Sequence, residues 1–213
     1  MNEYHKIPTV WKRDPATNYK TLIEGEWATP ELAYLAHNEW VFTEKIDGTN
    51  IRVMWDGQAI TFGGKTDRAQ LPAKLVKRLN EVFLPQTATF ADKFDCPVCL
   101  YGEGYGAGIQ KGGGDYGATQ EFALFDVKVA DWWLLREDID DVAGALSLYV
   151  VPVVGAGTLH DLVAKVSNGI PSLWGPFSAE GIVARPAVEL FARDGKRIIT
   201  KLKCRDFAQE ATP

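Results

Sequence analysis

The sequence predicts an α+β fold, mainly antiparallel sheets flanked by helices. Three observations predict it. Short runs of strand-like residues recur along the chain, two of them are joined by Asp56-Gly57, and stretches of helical periodicity are interspersed among them. With 213 residues, 46% of them hydrophobic, the chain can bury an ordinary core. It is read as one domain, residues 1–213, with residues 1–40 as an N-terminal extension packed on it.

Taken in order, TPELAYLAHN predicts a short helix with Thr29 as N-cap and Pro30 at the first helical position. WVFTEKI then reads as a strand. NIRVMW and QAITF read as a hairpin, because Asp-Gly is strongly preferred in two-residue hairpin turns. Leu75, Val76, Leu79, Val82 and Phe83 recur at helical spacing after Pro72, which predicts a helix covering a sheet. PVCLYGEG and EFALFDVKV read as further strands, separated by the glycine-rich YGAGIQKGGGDYG, expected to be a flexible loop over a site. Thr158 and Asp161 form a capping-box start for a helix carrying Leu159, Leu162, Val163 and Val166. GIVARP and RIITKLKC close the chain as strands.

Composition excludes several classes. No run approaches the roughly 20 apolar residues that span a bilayer, and the N-terminus lacks the apolar segment of a signal peptide, so a cytoplasmic protein is expected, with no membrane partner. Cys96, Cys99 and Cys204 are too few for a disulfide framework, and the CPVC pair supplies two ligands where structural zinc wants four. His5, His37 and His160 are scattered, so no zinc site is expected. The net charge of −5 argues against a protein held to nucleic acid by its overall field, although the segment from Arg193 to Arg205 is locally basic.

Glycine invites a phosphate-loop reading, which fails. Gly64-Lys65-Thr66 has Ala59 where a Walker loop needs glycine, and the glycines around Glu103 miss the dinucleotide spacing. EKIDGTNIRV is more informative. It places Lys45 at a strand end, two residues before Asp47 and three before Gly48, a residue that can turn the backbone. An ordinary surface lysine is the alternative at that position taken alone.

EKIDGTNIRV, LYGEGYG, EFALFDVKV, EGIVARP and KLKCRDF together resemble, in the same order, the motifs of the covalent nucleotidyltransferases: DNA ligases, RNA ligases and mRNA capping enzymes. Thr49 and Asn50, FGGKTDRAQLP and the closing KLKCRDF look like the small phage-type ATP-dependent RNA ligases. The resemblance implies a ligase adenylation domain, here without an OB domain, that joins RNA ends through a lysyl-AMP, with ATP and Mg²⁺ (or Mn²⁺) as cofactors. DNA nick joining and a non-catalytic nucleotide- or RNA-binding module of the same fold are the competing readings.

Under that resemblance Lys45 is the nucleophile. An unperturbed lysine amine is neutral only about once in 2,500 molecules at pH 7, and bringing its pKa to 7 takes about 4.6 kcal/mol. Burial, a nearby cation or a metal would have to supply this. Lys201 and Lys203 alternate on one strand, so they share a face; the resemblance gives them the α-phosphate and a catalytic, electrostatic role. Glu180 matches the metal-associated carboxylate, with Asp47 holding water of the metal's hydration shell. Glu103 matches a ribose contact and Phe122 an aromatic ring stacked on adenine, with Phe125 farther along. Glu44, Asp47, Gly48 and Arg52 complete the expected nucleotide-binding set, and Lys65 and Arg68 are further phosphate candidates. Each has an ordinary reading: solvated surface charge for the acids and lysines, core for the phenylalanines. The polynucleotide, a nicked duplex or single strands of RNA or DNA, would be clamped by the N-terminal segment, the glycine loop or a partner protein.

Overall fold

The structure, a computed structural model, describes residues 3–207. The chain gathers into two compact units, one holding Tyr4 and Asp47–Val151, the other His5–Ile46 and the chain from Pro152 onward. From the N-terminus, β1 (Trp11–Arg13) pairs antiparallel with β2 (Leu22–Trp27), and α1 (Pro30–Tyr34) and β3 (Trp40–Lys45) follow. The chain then builds the other unit: β4 (Thr49–Trp55), β5 (Ile60–Gly63), α2 (Ala73–Phe83), α3 (Thr87–Lys93), β6 (Val98–Tyr105), α4 (Gly113–Tyr116), β7 (Glu121–Val129), β8 (Trp132–Trp133), α5 (Arg136–Ala145) and β9 (Tyr149–Val150). It returns with β10 (Val153–Gly157), α6 (Leu159–Ser167), β11 (Gly181–Pro186) and β12 (Thr200–Lys203).

The unit that carries Lys45 is organised on an antiparallel sheet of order β10-β3-β11-β12. Its strands alternate, so Trp40, Phe42, Ile182, Ala184 and Leu202 fall on one face. That face packs on Leu159, Leu162 and Val166 of α6 and Leu32 of α1. Full burial of each leucine, isoleucine, valine or phenylalanine among these stabilises by about 1.5–3 kcal/mol. The expected cap of α6 is present: Asp161 N–H donates to Thr158 Oγ1 at 3.1 Å, and Thr158 N–H to Asp161 Oδ2 at 2.9 Å. The Thr158 hydroxyl, which donates to Asp161 Oδ2 at 2.7 Å, and the Thr158 N–H hold the Asp161 carboxyl below its usual range. Thr29 caps α1, with Pro30 in its first turn.

The other unit has its own core. Its sheet runs β5-β4-β6-β7-β8, with β9 joining β7 in parallel, and Leu75, Leu79 and Phe83 of α2 pack against it as expected. The hairpin is also present: Trp55 pairs with Ile60, Asp56 N–H bonds the Ala59 carbonyl at 3.4 Å, and the Asp56 carboxylate accepts the N–H groups of Gln58 (2.9 Å) and Ala59 (2.8 Å) in the turn. The glycine-rich stretch is likewise more ordered than a flexible loop. It contains α4, and Ala107 N–H bonds the Gly117 carbonyl at 3.0 Å. At the chain's end only Thr200–Lys203 of RIITKLKC forms a strand; Arg197, just before it, is buried in an ion pair with Glu189.

CPVC is the turn into β6: Cys99 is buried, and burial, the largest influence, pushes its thiol up to about 11, so it is inert at neutral pH. No helix among the described residues is long and apolar enough to cross a membrane.

Candidate active site

Lys45 ends β3 and Lys203 ends β12, with β11 between them. The register pairs Gly181, the first residue of β11, with Lys45 on one side and Lys203 on the other. Directly opposed residues of antiparallel strands share a face, so the two lysines flank Gly181 on the same side of the sheet. Only glycine suits that centre. A Cβ on Gly181 would lie 2.1 Å from the Leu202 carbonyl oxygen and 2.7 Å from Lys203 Cα.

Glu180, the preceding residue, reaches both ammonium groups. Lys45 Nζ is 2.5 Å from its Oε2, and Lys203 Nζ is 2.5 Å from its Oε1. All three side chains are mostly buried, at 19%, 12% and 17% exposed for Lys45, Glu180 and Lys203. Burial is the largest single influence on Glu180 and pushes its carboxyl up, but the charges and hydrogen bonds of Lys45 and Lys203 outweigh it and hold the carboxyl below its ordinary range. Glu180 is therefore an anion at neutral pH, set between two cations. The nearby cation expected beside Lys45 is present as Lys203, but a carboxylate stands between the two.

Lys201 lies two residues back on the same face of β12, opposite Val183. Its main-chain N–H donates to the Pro8 carbonyl at 3.0 Å, and Thr200 Oγ1 donates to the same oxygen at 3.2 Å. The segment before β1 is thus fastened along β12.

Glu44 points to the opposite face from Lys45. It is 2% exposed, and its carboxylate accepts Ser172 Oγ at 2.6 Å and Leu173 N–H at 2.8 Å. These bonds fix the chain just ahead of Glu180 to the strand that ends in Lys45. Ser172 was not singled out in the sequence, where PSLWG carries no recognisable pattern.

The remaining candidates belong to the other unit. Gly48 meets β6 closely: a Cβ there would stand 2.3 Å from the Gly104 carbonyl oxygen and 2.7 Å from Glu103 Cγ. Asp47, Gly48 and Glu103 are therefore brought together. Asp47 N–H donates to Tyr116 Oη at 3.2 Å, and the Gly48 carbonyl accepts Gln110 Nε2 at 3.0 Å, so the glycine-rich stretch is tied to this turn. Tyr116 and Gln110 were missed because the stretch reads only as loop.

Two candidates are placed otherwise than expected. Arg52, expected at the nucleotide, is 1% exposed and spends its donors inside the fold: Nε to the Gly64 carbonyl at 2.9 Å and an Nη to Asp67 at 2.7 Å. It is a strut for the segment after β5. Phe122, expected to stack on adenine, is a core side chain, 4% exposed, edge-on to Phe83 and so close over β6 that a Cβ on Gly102 would meet its ring at 2.2 Å. Lys65 and Arg68 are exposed.

Among the described residues, no three His, Cys, Asp or Glu side chains converge as a metal cage. A magnesium-type ion does not require one, because it keeps several waters and binds through one or two carboxylates plus substrate phosphates. Glu180, a mostly buried anion beside the candidate nucleophile, fits that need.

A family model for RNA ligase matches residues 38–203. No curated protein matches the chain. Among solved structures, a Naegleria gruberi RNA ligase variant with ATP and Mn is similar at a TM-score of 0.63 and 19% identity, covering 82% of this chain and 52% of that one. An apo variant of that ligase matches at 0.65 and 18%, covering 97% and 58%, and the ligase with PPi at 0.64 and 18%, covering 95% and 58%. At such identity the likeness concerns the fold, and this chain spans little more than half the length of those proteins. The family match, however, runs from ahead of β3 to the last residue of β12, and over that span this chain belongs to the RNA ligase family.

Proposed function

We propose that this chain is the nucleotidyltransferase core of an ATP-dependent polynucleotide ligase that seals RNA ends. The observation that carries the reading is the Lys45–Glu180–Lys203 bridge across adjacent strands. An amine attacks phosphorus only after shedding a proton; Glu180 positions Lys45 Nζ by their ion pair, and the proton passes to solvent or to the departing pyrophosphate. In the first step Lys45 Nζ bonds to the α-phosphorus of ATP, the bond to the β-phosphate oxygen breaks, and pyrophosphate leaves. Lys201 and Lys203 supply positive charge on the same face, where charge grows on the α-phosphate. AMP then passes from Lys45 to a 5′-phosphate, and a 3′-hydroxyl attacks that phosphate and expels AMP.

Asp47, Gly48 and Glu103 are proposed as nucleotide contacts, on the strength of their convergence around the turn after Lys45. Glu44 is proposed to act on the nucleotide through the main chain it fixes. Glu180, with Asp47 through water, would hold a divalent ion, Mg²⁺ or Mn²⁺, which when bound neutralises phosphate charge. The solved relatives with ATP and Mn and with PPi support this cofactor set. We further propose that residues 1–213 work as one nucleotidyltransferase domain carrying an N-terminal extension, in the cytoplasm. The free cysteines agree with a reducing compartment.

The test is incubation with Mg²⁺ or Mn²⁺ and α-labelled ATP or GTP, followed by intact-mass and peptide analysis. AMP on Lys45, absent in Lys45→Ala, is the expected result, followed by sealing of nicked or single-stranded RNA. GMP on Lys45 would move the reading to capping, sealing of DNA nicks alone to a DNA ligase, and no adduct in folded, non-adenylylated protein to a binding module.

A further inference from the structure

The segment before β1, the β1–β2 pair and the end of β12 enclose an open groove of about 940 Å³. Its construction is specific. Pro8 is hydrogen-bonded to Lys201 and Thr200, as described above, and Arg13 pairs with Asp206 at 2.8 Å. Asp206 in turn accepts the Lys203 N–H at 3.1 Å. The groove is thereby fixed alongside the two lysines of β12.

Its lining is opposite in sign to the chain. Beyond Arg13, Lys201 and Lys203, the groove is lined by Lys6, Lys12, Lys20 and Arg205, against one acid, Asp206, in a protein of net charge −5. Even after pairing of Lys12 with Glu26 and of Lys203 with Glu180, a large positive excess remains. Cations gathered in a groove are the footprint of a polyanion.

An aromatic ring sits among them. Tyr19 lines the same groove, is 62% exposed, and is presented by a loop whose Asn18 and Tyr19 both have left-handed φ of 53° and 61°. That loop is well tied: Tyr19 N–H bonds the Asp14 carbonyl at 2.9 Å, and Asp14 Oδ1 accepts Ala16 N–H at 2.8 Å. A cationic track with an exposed ring is how single strands are held without sequence preference, phosphates on the charges and a base on the ring.

We propose that this groove binds the phosphodiester backbone of a single-stranded RNA end, with Tyr19 stacking on one of its bases. The substrate class rests on the ligase reading; the groove's preference for a strand does not. The test uses the full chain and a labelled 5′-phosphorylated single-stranded RNA, with binding measured by fluorescence anisotropy across a salt series. Lys6→Ala/Lys20→Ala/Arg205→Ala should bind more weakly and lower the slope of log affinity against log salt by about 2, from about 0.7 per lost phosphate contact. Tyr19→Ala should weaken binding roughly 5- to 150-fold with the slope unchanged. Lys74→Ala/Lys77→Ala/Lys93→Ala, which removes exposed charge from α2 and α3, is the control and should bind like the parent. Circular dichroism and thermal melting check that each variant folds.

Variants that bind RNA like the parent, or a control that loses as much as the groove variant, would overturn the proposal. So would an ATP KM that rises in the groove variant while RNA affinity stays constant, which would assign the groove to the triphosphate. Lysyl-AMP formation by the parent is read in parallel. Groove-dependent RNA binding without an adduct would support the groove and reject the ligase reading.

Discussion

Glu180 is an anion whose two oxygens each face an ammonium, at a mostly buried position. Removing its charge while keeping its shape leaves Lys45 and Lys203 without their common partner, and breaking such a partly buried pair costs about 1–3 kcal/mol. Glu180→Gln should therefore be less stable than the parent at pH 7 by that amount. The sign with pH follows from the direction of the shift. A carboxyl held lower in the folded than in the unfolded chain contributes stability above the unfolded value, about 4.3, and loses it as pH falls through the folded value. Urea unfolding of both proteins should converge in stability as pH falls below 4.3; a gap constant with pH would contradict the bridge. Arg52 makes the complementary case. As a strut it should, when changed to Met, cost about 1–3 kcal/mol of stability for the lost bonds to Gly64 and Asp67, with the ATP KM of the folded protein unchanged. A large rise in KM with unchanged melting would restore Arg52 to the nucleotide.

At the scale of elements, the site depends on how closely β11 lies against β12, and Gly181 sets that closeness. Gly181→Ala would force the Leu202 carbonyl and Lys203 Cα away from β11 and pull Lys203 from Glu180. The expected result is about 1–3 kcal/mol of destabilisation, the usual cost of overpacking, and lysyl-AMP formation reduced at least tenfold in protein still folded. Adduct formation at the parental rate would show that the strand spacing is irrelevant. Elements with local punctuation were legible in the sequence: the Thr29-Pro30 start of α1, the Thr158/Asp161 box of α6, and the β4–β5 hairpin marked by Asp56-Gly57. Those whose signal lies elsewhere were not. In α3 only Phe90 is buried, so it carries no apolar stripe to read, whereas α5, REDIDDVAGA, places Ile139, Val142 and Ala143 at helical spacing but among acids that mask them. The strands β8 and β9, two residues each, exist only through their pairing with β7. For the site, the ordered motifs pointed to Lys45, Glu180 and Lys203, but alternation reveals that residues share a face without revealing which face is buried. The burial of Arg52 and Phe122 was not legible for that reason, and Ser172 was invisible because its partner, Glu44, is 128 residues away.

For the whole molecule, the chain leaves the unit of β4–β9 after Tyr4, re-enters it after Ile46 and leaves it again after Val151, and each unit has a hydrophobic core of its own. Separate cores give separate local stabilities. Tyr4 offers a means to perturb one of them. It belongs to the unit of β4–β9, where its hydroxyl donates to Asp126 Oδ2 at 2.7 Å and its ring packs against Tyr101, Phe125 and Trp133. Asp126 is wholly buried, so losing that donor costs about 1–3 kcal/mol. Tyr4→Phe keeps the ring and removes only the hydroxyl. In native-state hydrogen exchange it should lower the protection of β4, β6 and β7 by that free energy and leave β3, β11 and β12 at parental protection. Equal loss in both sets of strands would mean that the two cores open as a single cooperative unit, and that the site around Lys45 then shares the stability of the whole chain.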